Sequence, residues 1–406
     1  MAQVEEVQGL YGPFQFPELL LQRIWAEQGF DRSQLRTESG EAVKLIRPGQ
    51  WNRQGGPDFK QAEVMVGRKR LNGDIELHLH EKDWQAHQHN RDPAFDDVIL
   101  HVVLFPSARK TTAGSDGRRI PVLTLLPHLW HDLEEYAADA AVSAIAQRPA
   151  DRLAQAWLEL DEAATRARIV SEAHRRWEGK VYYARQRITK LGWTSACHHT
   201  ALEILGYRFN RAPMLMIATS WPLAAWQSGD LDMDAVWASQ MERWQLAGVR
   251  PANHPRKRLA AYARWVQQGR DWPARLEDIA QTWPELPGGL TPQSEVAAIR
   301  RELDLKGHWL HVMSTLGVQG AVAQPRADNL WGDGLLPLLA AANPAAQPAF
   351  FVWWFGSWPG DQAANLARAA RMAGIADGRR NPLAWGHVQG LIGQQLADEN
   401  PAGRGT

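Results

Sequence analysis

The chain of 406 residues is 45% hydrophobic and 22% charged, a composition typical of a globular protein with two or three domains. Lys and Arg together number 45, as do Asp and Glu together, so the formal net charge is zero. Any binding of nucleic acid would therefore depend on a local basic patch. The single cysteine, Cys197, excludes an intramolecular disulfide and a cysteine-only zinc site. We see no signal-peptide pattern at the start and no apolar run of membrane-spanning length, so we expect a cytoplasmic protein with no membrane partner.

The first predicted elements are a helix, a short strand and a polar loop. A helix is predicted over 17–28, because proline suits a first helical turn and glycine follows the last one. A strand is predicted over 42–46. The loop over 48–58 is rich in Gly, Asn and Gln, which favours a segment that faces a ligand, with Asn52 among its candidate contacts.

The segment 73–80 alternates with a period of two, as a strand does when one of its faces is buried. Its aliphatic face carries Ile75, Leu77 and Leu79. Its opposite face concentrates carboxylates and imidazoles, those of Asp74, Glu76, His78 and His80. A turn signal over 71–73 predicts a hairpin whose other arm covers 61–66. Since Asp58 comes just before that arm, we expect it to approach the polar face.

Two carboxylates on adjacent strands can hold a hard cation such as Mg²⁺ or Mn²⁺ through oxygen, which predicts a metal site at Asp58 and Glu76. A basic group two residues further along, here His78, can then orient water or phosphate. Pro57-Asp58 followed by Glu76-x-His78 resembles the PD-(D/E)xK nuclease core, with His in the place of Lys. That resemblance implies a restriction-endonuclease-like sheet and a further Glu on the preceding helix, for which Glu18 is the candidate.

The histidines offer an alternative metal site. Four of them fall within twelve positions, at His78, His80, His87 and His89, and a zinc site would use these or some three of them with Asp92. The helical spacings typical of zinc enzymes are absent. Further candidates near this segment are Trp84 and His101, which interrupts an apolar strand predicted over 97–105.

From about residue 127 the strand patterns give way to helical periods rich in Ala, Leu and Arg. We therefore predict an α+β protein with a mixed α/β sheet domain over 1–145 and a mostly helical domain over 146–406. The helical part contains a basic loop in which Pro251 and Pro255 fix an extended backbone. Its candidate nucleic-acid contacts are Arg250, Asn253, Arg256, Lys257 and Arg258. The 20 tryptophans either fill gaps between helices or form a surface on which bases stack.

Four segments together resemble an uncharacterised bacterial family, the domain of unknown function 2851. They are the Pro48–Phe59 loop, GDIELH through DWxxHxH over 73–89, DPAFDDVILHVV over 92–103 and RPANHPRKRLA over 250–260. The resemblance implies a bacterial source and one continuous architecture, and it does not choose among chemistries.

Three functions remain open at this point. The first is a divalent-metal-dependent phosphodiesterase or nuclease that acts on DNA or RNA. The second is a non-catalytic nucleic-acid-binding protein of the same fold, and the third is a zinc-dependent hydrolase that uses the histidines. The sequence leaves the oligomeric state open.

Overall fold

The computed structural model describes residues 18–130, 133, 136, 148–246, 249, 251–360 and 364–399. These residues belong to two compact units, one within Phe14–Ala137 and the other beyond Ala138. A mixed sheet forms the first unit and helices dominate the second, so the α+β class is confirmed. The helical pattern that we predict from about residue 127 includes the segment 131–147, which lies largely outside the described residues, as does Arg250.

Seven strands form the sheet of the first unit. They are β1 (Val43–Arg47), β2 (Gln50–Trp51), β3 (Phe59–Val66), β4 (Lys69–His78), β5 (Val98–Val103), β6 (Thr111–Ala113) and β7 (Arg119–Thr124). Their order is β1-β3-β4-β5-β7-β6, and β2 also pairs with β3. Strands β1, β3 and β4 run antiparallel, whereas β4 pairs with β5 and β5 with β7 in parallel.

The predicted hairpin is present, but its turn lies four residues earlier than the sequence indicated. Val66 pairs with Lys69, and Gly67 adopts a φ of +59° between the two strands. Glycine takes up this left-handed conformation without the steric cost that a side chain would add. The segment Leu71–Gly73, which we interpreted as the turn, therefore lies inside β4.

Both faces of β4 are buried at its end, whereas the alternating pattern predicted only one buried face. Ile75 and Leu77 are fully buried, and Glu76 and His78 on the other face retain only 6% and 1% of their accessible surface. Carboxylates are rarely this buried unless they have specific partners. The polar face is therefore an interior site rather than a solvated surface.

The elements that cover this polar face are short and irregular. Helix α1 (Glu18–Glu27) packs beside β4 and buries Leu21, Ile24 and Trp25. Between β4 and β5 the chain forms helix α2 (Asp83–Ala86) and two 3₁₀ turns, His89–Arg91 and Pro93–Phe95. These segments supply the histidines that lie C-terminal to β4.

Long helices build the second unit around an aromatic core. The α-helices described there are Ala150–Ala154, Glu162–Leu191, Trp193–Ser220, Leu223–Ser228, Met233–Ala238, Pro255–Gln268, Trp272–Gln281, Val296–Glu302, Leu305–Thr315, Gln324–Asn329, Leu336–Ala342, Gln347–Gly356, Ala364–Met372 and Trp385–Glu399. A π-helix, Leu330–Leu335, joins two of them. Most of the largest fully buried side chains are tryptophans, which agrees with a packing role.

Among the described residues, no single helix is both long enough and apolar enough to span a membrane. The segments Gln324–Ala342 and Pro344–Gly356 meet those criteria only as a pair, and that pair is bent by 118°.

Candidate functional site

Asp58 and Glu76 meet at the start of β3. The register that pairs Phe59 with Ile75 places the preceding residue, Asp58, beside the following one, Glu76. The backbone N–H of Asp58 donates to Oε2 of Glu76 at 2.9 Å, and the N–H of Leu77 donates to Oδ2 of Asp58 at 3.1 Å. The two predicted acidic residues are therefore neighbours on adjacent strands.

A β-bulge produces this register. Between Phe59 and Ala62 strand β3 contains one residue more than β4, and Gln61 takes a φ of +58°. Oδ1 of Asp74 accepts a hydrogen bond from the N–H of Gln61 at 3.0 Å. Since a slip of one residue exchanges the two faces of a strand, the bulge determines on which side Asp58 lies. Asp74 thus supports the backbone of the site rather than lining it.

Burial and mutual repulsion perturb the carboxyl groups. Desolvation, followed by the charge of Glu76, raises the pKa of Asp58 to about 8. Desolvation raises the pKa of Glu76 to about 8 as well, against the opposing hydrogen bond from Asp58. Burial also raises the pKa of Glu18, whose charge acts on both of the other carboxyl groups. Among the described residues, neither lysine nor arginine is a cause of these shifts.

Helix α1 contributes a second residue that the sequence reasoning missed. The Gln22 amide nitrogen donates to Oδ1 of Asp58 at 2.6 Å, and its oxygen accepts from Nε1 of Trp51 at 3.4 Å. Gln22 lies one helical turn after Glu18, so both side chains occupy the same face of α1. That spacing of four was visible in the sequence and identifies the face of the helix that meets the strands.

Three histidines cluster beside β4, and two of them lie close to the other oxygen of Glu76. Nε2 of His78 lies 3.1 Å from Nδ1 of His87 and 3.7 Å from Oε1 of Glu76. Nε2 of His89 lies 3.4 Å from the same oxygen. One ring nitrogen from each of His78, His87 and His89 falls within a sphere small enough for a single metal ion. His78 and His89 are shielded from solvent, whereas His87 is exposed.

His101 completes a chain of imidazoles. Its Nε2 lies 2.9 Å from Nδ1 of His78, so both ring nitrogens of His78 are bonded within the cluster. Burial lowers the pKa of His101 to about 3, and burial with the neighbouring imidazoles lowers the pKa of His78 far below its usual range. The imidazole that meets solvent is therefore that of His87 rather than that of His78, the residue expected to orient water.

Two aromatic residues hold the rings in place. The His89 ring stacks on Phe95 with a centroid separation of 3.7 Å. Trp84 contacts the rings of His78, His89 and His101, and its Nε1–H donates to the carbonyl of Ala113 at 3.0 Å. Trp84 is thus a packing residue at the centre of the histidines.

Two other candidates of the sequence analysis lie apart from this cluster. The His80 ring stacks on Phe105 and is exposed, because β4 ends at His78 and the chain turns towards α2. Asn52 donates from its side chain to the carbonyls of Gly55 and Pro57. Asn52 therefore shapes the loop that delivers Asp58.

The basic loop of the helical unit presents fewer free cations than the sequence indicated. Arg256 forms an ion pair with Asp234, and the Arg258 guanidinium donates to Oδ1 of Asn253 and is buried. Lys257 is exposed in the first turn of the helix Pro255–Gln268. Arg258 therefore contributes to the interior of the unit instead of facing a phosphate.

Comparison with known proteins gives one match. A family model with the description "Protein of unknown function (DUF2851)" matches residues 18–238, more than half of the chain. The fourth segment used in the sequence comparison, 250–260, lies outside that match. No curated protein and no solved structure matched the chain. The match covers more than half of the chain, including the whole sheet and its cluster of acids and histidines. The chain therefore belongs to the DUF2851 family.

Proposed function

We propose that the protein is a divalent-metal-dependent phosphodiesterase or nuclease whose metal is held by Asp58 and Glu76, with Glu18 nearby. One observation carries the proposal: a half-buried and a buried carboxyl group, those of Asp58 and Glu76, are neighbours on adjacent strands, and the pKa of each is raised to about 8. The cost of ionising these poorly solvated carboxyl groups falls when a cation such as Mg²⁺ or Mn²⁺ binds their oxygens.

The hydrogen bonds already present leave room for such a cation. A carboxylate oxygen has two lone pairs, so Oδ1 of Asp58 can accept from Gln22 and still bind a metal. The bonds from Gln22 and from Leu77 fix both oxygens of Asp58. Preorganised ligands of this kind favour a defined coordination geometry over a loosely bound ion.

The bound cation would lower the pKa of a water molecule and neutralise charge that develops on a phosphate. The residues of the chain would supply orientation and proton transfer. His87 is the exposed imidazole of the cluster and is therefore the one that a substrate or a water molecule can reach.

The order of the elements supports the nuclease-like assignment. Helix α1 precedes the antiparallel strands β1, β3 and β4, and β5 then joins β4 in parallel. Asp58 comes just before β3, Glu76 is on β4 and Glu18 is on the preceding helix. These are the positions that the resemblance to the PD-(D/E)xK core implies, and His78 occupies the position of its usual Lys.

Cations of the sheet unit support a nucleic-acid substrate. The Arg53 guanidinium lies 4.4 Å from the centroid of the Trp51 ring, and Trp51 donates to Gln22, which holds Asp58. Arg53 and Lys60 are exposed on either side of Asp58 in sequence. A cation stacked on an aromatic ring can bind a phosphate and a base together. In the helical unit, the exposed Lys257 would add a contact to DNA or RNA.

The test compares Asp58→Asn and Glu76→Gln with wild type on DNA and RNA substrates in Mg²⁺ or Mn²⁺. We expect cleavage by wild type and a loss of at least about 100-fold in each variant, since each removes a metal ligand. Asp97→Asn is the matched control, because its exposed side chain precedes β5 in the same sheet. Binding of nucleic acid without cleavage by wild type would instead support the non-catalytic alternative and refute the enzyme.

A further inference from the structure

We propose a second metal position, beside the carboxylate one, formed by Glu76, His78, His87 and His89 and suited to a borderline ion such as Zn²⁺. It rests on the proposed function insofar as Glu76 belongs to both positions. The proposal gives the site two neighbouring ions of different character, joined by one carboxylate. It also gives a role to the histidines that the carboxylate position leaves unused.

Three of the separations between donor atoms are close to those expected around a tetrahedral ion. Zn–N and Zn–O bonds are about 2.0–2.1 Å, so neighbouring ligands around a tetrahedral ion lie about 3.3–3.4 Å apart. The separations here are 3.1 Å between His78 and His87, 3.4 Å between His89 and Glu76, and 3.7 Å between His78 and Glu76. The three imidazole nitrogens all lie within 4.8 Å of one another, so these side chains need to close only slightly around an ion that Glu76 also binds.

The chemistry of the donors selects the class of metal. Three imidazole nitrogens and one carboxylate oxygen suit Zn²⁺ and its transition-metal neighbours, whereas Mg²⁺ prefers oxygen ligands. The ring nitrogens of His78, His87 and His89 converge within 4.8 Å of one another, as the ligands of one ion would.

His101 provides the outer partner that ligating histidines commonly have. With Nε2 of His78 directed to the ion, its Nδ1–H would donate to Nε2 of His101 at the observed 2.9 Å. The rings are also held by packing, since His89 stacks on Phe95 and Trp84 abuts His78. A site supported in this way loses little side-chain entropy when it binds an ion.

The two carboxylate oxygens of Glu76 face different sets of neighbours. Oε1 faces the imidazoles, and Oε2 accepts from the backbone of Asp58. Two ions held by these groups would resemble the paired ions, about 3.5–4 Å apart, that clamp the attacking and leaving oxygens in phosphodiester cleavage. Because His87 is exposed, the nitrogen-rich position lies next to solvent.

The test measures Zn²⁺ binding to the metal-stripped full chain by competition with a chromophoric chelator. We expect one tightly bound Zn²⁺ in wild type and, in His87→Ala and His89→Ala, affinity weakened by at least about 100-fold, beyond the loss typical of outer partners. His80→Ala is the matched control, because this histidine lies in the same segment and stacks on Phe105 instead. Its affinity should stay within about threefold of wild type.

Substitution with Co²⁺ gives a second readout that is independent of activity. We expect the intense visible absorption of four-coordinate Co²⁺ in wild type and in His80→Ala, and its loss in His87→Ala. Circular dichroism and the melting temperature establish that each variant is folded. Equal Zn²⁺ affinity in wild type and His87→Ala, or an equal loss in His80→Ala, overturns the proposal.

The failures of the two proposals can be told apart. Asp58→Asn leaves in place the three imidazoles and the Glu76 carboxylate that would bind Zn²⁺. It should therefore lose phosphodiester cleavage and retain the Zn²⁺ affinity within about tenfold. Cleavage that survives in Asp58→Asn refutes the proposed function while the Zn²⁺ result stands. Weak binding of Zn²⁺ by wild type, with cleavage that depends on Asp58, refutes only the second metal position.

Discussion

The carboxyl groups of Asp58 and Glu76 should make the metal-free sheet unit less stable as pH rises. A folded-state pKa of about 8 for each group is above the usual values of 3.8 and 4.5. The folded protein therefore retains protons that the unfolded chain releases. Their contribution to stability is complete below the ordinary pKa and is lost as pH rises towards 8.

Asp58→Asn should remove about half of this dependence. One retained proton changes the free energy of unfolding by about 1.4 kcal/mol per pH unit. The unfolding free energies of wild type and variant should therefore diverge by about 3 kcal/mol between about pH 5 and about pH 7. The variant becomes more stable relative to wild type as pH rises, because Asn carries no charge to bury. Asn also preserves the shape of the side chain and an oxygen that can accept from Leu77.

Hydrogen–deuterium exchange in a chelator measures this effect within the sheet unit. Peptides that cover 59–78 report the opening free energy of β3 and β4, after correction for the intrinsic pH dependence of exchange. Addition of Mg²⁺ at about pH 7 should restore protection in wild type and have less effect in Asp58→Asn. If the opening free energies of wild type and variant change in parallel from pH 5 to pH 7, the reasoning is refuted.

Three further outcomes follow from the same region. Asp74→Ala should lose the bond to Gln61 and with it cleavage activity, whereas Asp74→Asn, which keeps an acceptor oxygen, should retain most activity in the same assay. Gly73→Ala should lower the unfolding free energy by about 3 kcal/mol or more, because its Cβ would lie 2.3 Å from the carbonyl oxygen of Asp97; a melting temperature equal to wild type contradicts this. Arg53→Ala should reduce the slope of log affinity against log salt for DNA by about 1, and an unchanged slope removes Arg53 from the phosphate contacts.

The local patterns of the sequence predicted the strands better than the connections between them. The alternation over 73–80 identified β4 and its polar face, and the position of Asp58 ahead of the facing arm predicted their approach. The turn was assigned to 71–73 because Asn-Gly is a strong turn signal, yet Gly67 takes that role. Nothing local distinguishes the two, since the choice depends on how the whole of β3 pairs.

The histidines and the basic loop show where local reasoning ends. The positions of His87 and His89 depend on how the segment between β4 and β5 packs around Trp84 and Phe95, which is a tertiary property. Likewise, Arg258 is buried and donates a hydrogen bond to Asn253, a contact that composition does not reveal. The site residues that the sequence predicted from β4 itself, Glu76 and His78, needed only the strand period.

The position of the site in the chain bears on the timing of its assembly. Every side chain of the cluster comes from residues 18–101, and the last strand of the sheet, β7, ends at Thr124. Synthesis of the roughly 280 residues that follow takes about 15–60 s at about 5–20 residues per second, and N-terminal domains generally fold first. The nascent sheet unit is therefore exposed to the ions of the surrounding fluid before translation of the helical unit is finished, and the first ion captured would come from that pool.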